Sequence, residues 1–238
     1  ERMDVTIKIT GLSYKEGERL CSMQLSTVTI PGCEPNALQI CDESGAVLVK
    51  ESEETPYPYH WRRWNVQRGT EGNVKINYTV YPREIKPTDI CGPYFDFRAE
   101  CGANSAGLSF LMDIEKAEEC ELSWDMSAMP EKSRGVCTLG EHKVKAKTLD
   151  RLRECYFAMG QLNAIEEGDF GFYWMSKPPF DVKEVAEYTK KLFSQMQKFF
   201  KDTEKVYRIF VRKDPFLTSG GTALYRSYLF GWNTTSAM

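Results

Sequence analysis

Histidine is nearly absent from this 238-residue chain, which carries only His60 and His142. Neither has a partner at ligand spacing, and no C-x-x-C pair occurs, so the usual zinc and redox centres find no donor set. The H-E-x-x-H, G-x-S-x-G and phosphate-binding glycine signatures are also missing, which excludes the common zinc-hydrolase, serine-hydrolase and nucleotide-binding patterns. No apolar run approaches the length of a membrane span, and no signal-peptide pattern opens the chain. Neither sign of charge dominates: 31 basic against 34 acidic residues leave a net charge of −3. Without a basic stripe, nucleic-acid binding has no electrostatic footing. There is no internal repeat and no low-complexity segment. The first residue is Glu1 rather than methionine, as expected of a processed product and equally of a recombinant one.

Cysteine, by contrast, is plentiful. Cys21, Cys33, Cys41, Cys91, Cys101, Cys120, Cys137 and Cys155 all lie in the first two thirds of the chain. The even count fits disulfides outside the cytosol, and buried thiols acting as small apolar residues fit equally well. Both readings stay open, and the location leans to extracytoplasmic over cytoplasmic. A hydrophobic fraction of 42% is ordinary for a globular protein and suffices for one large domain or two modest ones.

Most of the chain reads as β. Val5, Ile7 and Ile9 alternate, as do Met23, Leu25, Val28 and Ile30, then Ala37, Leu38 and Ile40. Pro31-Gly32 and Glu43-Ser44-Gly45 supply turns, and Ala46 to Val49 resumes a strand. Residues 51–58 read as an acidic, proline-containing loop. Tyr59 to Val66 is an aromatic run, and Val74, Ile76, Tyr78 and Val80 alternate cleanly. Asn104 to Gly107 reads as a small-residue turn before the apolar Leu108 to Met112. Further strands are predicted over Glu121–Met126, Tyr156–Leu162 and Phe170–Met175, with a helical turn at Leu149–Arg153. Short strands punctuated by turns predict an antiparallel β-sandwich over residues 1–176.

After Lys177-Pro178-Pro179 the pattern changes period. Asp181 is a good N-cap, Glu184 completes a capping box, and Phe180 with Val185 can form a hydrophobic staple. From Val182 to about Lys201, apolar residues recur at three- and four-residue steps, so a helix is expected to bury Phe193, Met196 and Phe200. Val206 to Val211 then reads as a strand. Gly220 to Tyr228 reads as a single strand entered through Gly220-Gly221, with Thr222, Leu224 and Arg226 on one face. Residues 177–238 therefore form an α+β part behind the sandwich.

Few constellations compete for chemistry. Trp61 and Trp64 with Tyr57, Tyr59 and His60 could form a binding platform, although core aromatics of a sandwich explain them better. Glu118-Glu119 and Glu166-Glu167 could be catalytic carboxylates, although adjacent acids in polar segments are usually solvated. Gly220-Gly221 could mark a substrate site, although on sequence grounds alone a tight turn explains it better.

The order of several short stretches resembles the N-terminal part of the glycyl-aminopeptidase family of zinc metallopeptidases, within the thermolysin-like gluzincins. They are Asp42-Glu43-Ser44-Gly45, Trp64-Asn65-Val66, Val74 to Tyr81, Asn104 to Phe110 and Leu122 to Met126 with Pro130. The helix after Pro179, the strand Tyr207 to Val211 and Gly220-Gly221 follow. The resemblance implies a β-sandwich followed by the first helix and strands of a thermolysin-like catalytic domain. It implies that Gly220, Gly221, Thr222, Ala223 and Leu224 lie beside the substrate on an edge strand.

Two departures matter. The family's Gly-Gly-x-Glu segment has no acid here, since Thr222-Ala223-Leu224-Tyr225-Arg226 follows the glycines. The zinc-binding helix lies further on than Met238. This chain alone is therefore expected to hold no catalytic or metal-ligating residue, no zinc and no peptidase activity, zinc being expected only with a downstream catalytic half. The implied partners are a peptide at the Gly220–Tyr228 edge and the remainder of its own polypeptide. A stand-alone protein- or peptide-binding sandwich module is the alternative.

Overall fold

Alternating burial runs through the first half of the chain. In the strand Val74–Val80, Val74, Ile76, Tyr78 and Val80 are buried and the residues between them are not. This strand pairs antiparallel with Met3–Ile9 on one side and Gln39–Asp42 on the other, and Gly45–Ala46 completes a four-stranded sheet. The computed structural model describes residues 2–25, 36–56, 60–82, 95–98, 102–214, 217 and 219–233. A second four-stranded sheet runs Asp113–Ile114, Arg19–Gln24, Trp61–Val66, Val49–Glu54. Leu20, Met23 and Trp64 from this sheet share one core with Val74 and Ile76 of the first. These two sheets, with strands between residues 3 and 114, pack as an antiparallel sandwich, and the protein as a whole is mainly β, as expected. Val28, Ile30, Pro31-Gly32, Cys33, Tyr57, Tyr59, Cys91 and Cys101 lie outside the described residues. Cys41, Cys120, Cys137 and Cys155 carry free thiols.

Two expected loops are strands. Val49–Glu54 pairs antiparallel with Trp61–Val66. Its acids are cross-strand partners: Glu51 accepts from Trp64 Nε1 at 2.9 Å, and Glu53 and Glu54 pair with Arg62 and Arg63, each at 2.8 Å. Gly102–Ala106 is an interior strand between Tyr156–Gly160 and Asp96–Arg98, with every residue buried. Its small side chains mark close approach of neighbouring layers rather than a turn. Arg134–Cys137 and Gly140–Glu141 complete this third, five-stranded sheet.

The last sheet holds the candidate site. Its order is Asn163–Glu167, Phe170–Trp174, Tyr207–Lys213, Ser227–Trp232, Gly220–Leu224. Phe170–Trp174 runs parallel to Tyr207–Lys213, with the helix Val182–Phe200 as the crossover between them, and Ser227–Trp232 is also parallel to Tyr207–Lys213. The sheet thus takes strands from both sides of the Pro178-Pro179 break. One face places Tyr173, Phe210 and Leu229 against Ala106, Val136, Tyr156 and Ala158 of the preceding sheet. The other packs Phe172, Ile209, Val211 and Trp232 with Ala186 of the helix.

The helix starts as its sequence predicts. The Asp181 carboxylate accepts from the amides of Lys183 and Glu184 at 2.9 and 3.1 Å, and Lys201 closes the far end in a left-handed conformation at φ 54°. Its expected burial does not hold. Phe193 is half-buried, stacked on Tyr207 with ring centroids 4.6 Å apart, whereas Met196 is 48% and Phe200 67% exposed. The apolar arc of the helix is wider than the strip of sheet beneath it. Ala186, small enough for close approach, is the buried residue of this helix.

Candidate functional site

The run Gly220 to Tyr228 is not one strand. It folds as a hairpin, in which Gly220–Leu224 pairs antiparallel with Ser227–Trp232, from Gly220 opposite Gly231 to Leu224 opposite Ser227. Tyr225 and Arg226 make the turn, with Arg226 at φ 47°. A non-glycine residue in that region carries conformational strain, and tertiary contacts hold it there. The Arg226 guanidinium pairs with both carboxylate oxygens of Asp202, one of them at 2.7 Å. Those hydrogen bonds, with one from the Glu204 amide, hold the Asp202 carboxyl down at about 2. The Tyr225 amide donates to the Glu154 carbonyl at 2.9 Å, and the Arg151 guanidinium lies 3.6 Å from the Tyr225 ring centre.

The hairpin leaves Gly220–Leu224 last in the sheet. Among the described residues it has a single strand partner, so alternate amides and carbonyls along it point away from the sheet. Its two faces differ. The Thr222 hydroxyl hydrogen-bonds the Tyr156 hydroxyl, and Leu224 packs against the cluster that contains Tyr156 and Phe210. On the other face Gly221 lies beneath the Tyr228 ring. A Cβ at Gly221 would fall 2.3 Å from the Tyr228 hydroxyl and 2.6 Å from the Leu229 carbonyl oxygen, so only glycine allows this approach. Gly220, Gly221, Thr222, Ala223 and Leu224 are therefore brought together along one open edge, while Tyr225 to Tyr228 turn back beneath it.

Sequence reasoning missed one feature beside this edge. Gly231, opposite Gly220, packs on the Asp214 carboxylate, where a Cβ would meet Oδ2 at 1.8 Å. Asp214 is paired with Arg212 at 2.5 Å, and their side chains are only 1% and 3% exposed. The Arg-x-Asp spacing at the end of a strand was the available signal. This acid lies close to the glycine pair, yet it is turned inward onto Arg212.

The other sequence candidates are absorbed by structure. Trp64 is buried in the sandwich core. His60 Nε2 is 3.0 Å from Glu53, and His142 is exposed in the bend between Gly140–Glu141 and Lys143–Ala146, which belong to different sheets. Glu118 and Glu119 are exposed. Glu166 accepts from Tyr173 Oη at 2.8 Å and from Arg134 at 2.9 Å, while Glu167 pairs with Lys190. Burial pushes the Glu166 carboxyl up, but Arg134 and Tyr173 outweigh it and leave it below the ordinary value. Arg134 joins the third sheet to the last one through this carboxylate, which accounts for Glu166 without chemistry. Among the described residues no group of three or more histidine, cysteine, aspartate or glutamate side chains could hold a metal ion.

No family model matches the sequence, and no curated protein matches it. Solved structures do. An aminopeptidase N family protein from Idiomarina loihiensis superposes with a TM-score of 0.66 at 15% identity, covering 98% of this chain and 40% of that one. The two share a fold. Native yeast LTA4 hydrolase matches more distantly, with a TM-score of 0.50 at 12% identity over 97% of this chain and 37% of that one. This chain spans well under half the length of either.

Proposed function

We propose that this chain is the N-terminal, non-catalytic portion of a zinc-metallopeptidase-related protein similar to the glycyl aminopeptidases. The observation that carries the reading is a superposition on an aminopeptidase N family protein over 98% of this chain but 40% of that one. The order of short motifs in the sequence supports it independently. Within the whole protein, the sandwich serves as a scaffold and residues 177–238 begin the catalytic half. The Gly220–Leu224 edge then takes an extended peptide by strand addition, with backbone pairing supplying affinity. Zinc and its general base belong to residues beyond this chain.

The test is the native protein together with the reading frame that follows Met238. A downstream H-E-x-x-H, one zinc per native protein, and loss of hydrolysis of an aminoacyl fluorogenic substrate on chelation are expected. The 238-residue chain by itself should hold no stoichiometric zinc after dialysis and should not turn over that substrate. A stop codon directly after Met238 overturns the reading in favour of a stand-alone binding module.

A further inference from the structure

The long helix presents two apolar stripes, and the fold uses one. Val182, Ala186 and Phe193 turn toward the sheet, where Ala186 is buried and Phe193 stacks on Tyr207. Val185, Tyr188, Leu192, Met196 and Phe199 form the second stripe at steps of three, four, four and three residues. Helical geometry puts these on one line. They are exposed to 36%, 67%, 41%, 48% and 80% respectively. Single exposed apolar residues are ordinary, but a continuous line of five large ones over the fifteen residues from 185 to 199 marks a contact surface. At its C-terminal end the line opens into a groove of about 260 Å³ walled by Phe193, Met196, Phe200 and Tyr207.

We infer that this second stripe is a helix-packing seam whose occupant is a helical segment of the same polypeptide, beyond residue 238. The inference rests on the reading above that the chain is the front portion of a longer protein. Two observations select this occupant. Spacing of three and four is the pattern that lets one helix receive the ridges of another. The fold neighbour aligned over 98% of this chain has most of its own length outside the alignment, 40% being matched. A covalently attached segment also meets the stripe at high effective concentration, so a seam of modest area suffices.

The experiment places single cysteines at Met196→Cys, on the stripe, and Lys191→Cys, on the polar face. Each is made in the 238-residue chain and in the full protein encoded by the gene. Both are alkylated with a maleimide dye, and labelling at each site is followed by peptide mass spectrometry. In the 238-residue chain both sites should label at similar rates. In the full protein, labelling at 196 should slow on the order of tenfold or more, while 191 is unchanged. Equal labelling at 196 in the two proteins overturns the seam and leaves the reading of the longer protein intact. A reading frame that ends at Met238 overturns that reading, and the seam with it. Protection at 196 in the short chain, with a dimer mass in sedimentation, overturns the choice of occupant in favour of a second copy.

Discussion

Gly221 and Asp202 are the residues on which the hairpin depends. A methyl group at Gly221 meets the Tyr228 hydroxyl and, behind it, the Leu229 backbone, which cannot swing aside. Gly221→Ala should therefore destabilise the protein by about 1–3 kcal/mol. Gly69→Ala, whose nearest neighbour is 3.7 Å away, should stay within about half a kcal/mol. Urea midpoints of the two variants test this, and equal midpoints would mean that the hairpin yields. Asp202 titrates near 2 because Arg226 favours its ionised form. A carboxyl depressed on folding contributes stability that is complete above its unfolded value of about 4 and is lost as pH falls through the folded one. The melting-temperature gap between the parent and Asp202→Asn should therefore be present at neutral pH and close between about pH 4 and pH 2. A gap that is independent of pH would show that a neutral hydrogen bond does the work instead.

Elements show where helical pattern and burial part company. Phe193 rests half-buried on Tyr207, so Phe193→Ala should cost about 1–2 kcal/mol, below the figure for a fully buried ring. Phe199, 80% exposed, should change stability by no more than about half a kcal/mol when cut to alanine. Thermal melts of the 238-residue chain order the two, and a larger loss at Phe199 would place the sheet under the wrong stripe. The Gly220–Leu224 edge offers main-chain groups but carries no acid of its own, and Asp214 beside it is committed to Arg212. A peptide added there should bind weakly and without preference between a free and an acetylated amino terminus. Amide shifts during titration with both forms decide this. A marked preference for the free amine would mean that an acid, such as Asp214 against Gly231, reaches the peptide end.

At the scale of the whole molecule, parts of the fold were legible because their causes are local. Alternation from Val74 to Val80 specifies a half-buried strand within seven residues, and Asp181 with its two amides specifies a helix start within four. The short helix Leu149–Arg153 falls where the sequence predicts it, capped by Thr148. Composition misled wherever residue type answered to a distant neighbour. Glu51, Glu53 and Glu54 look like loop residues until the neighbouring strand supplies Trp64, Arg62 and Arg63 as partners. Asn104 to Gly107 look like a turn, yet Asn104 to Ala106 lie in a strand that two others enclose.

By itself, then, the sequence determined a mainly β chain with one long capped helix, because alternation, helical period and cap chemistry act within a few residues. The tertiary structure decided which strands are edges, where the last hairpin turns, and which stripe of the helix meets the sheet. Those outcomes depend on contacts such as Thr222 with Tyr156, 66 residues apart, and Arg208 with the Thr138 carbonyl, 70 apart. No local window contains both members of such a pair, and the entropy of closing so long a loop is recovered only when the whole sheet assembles.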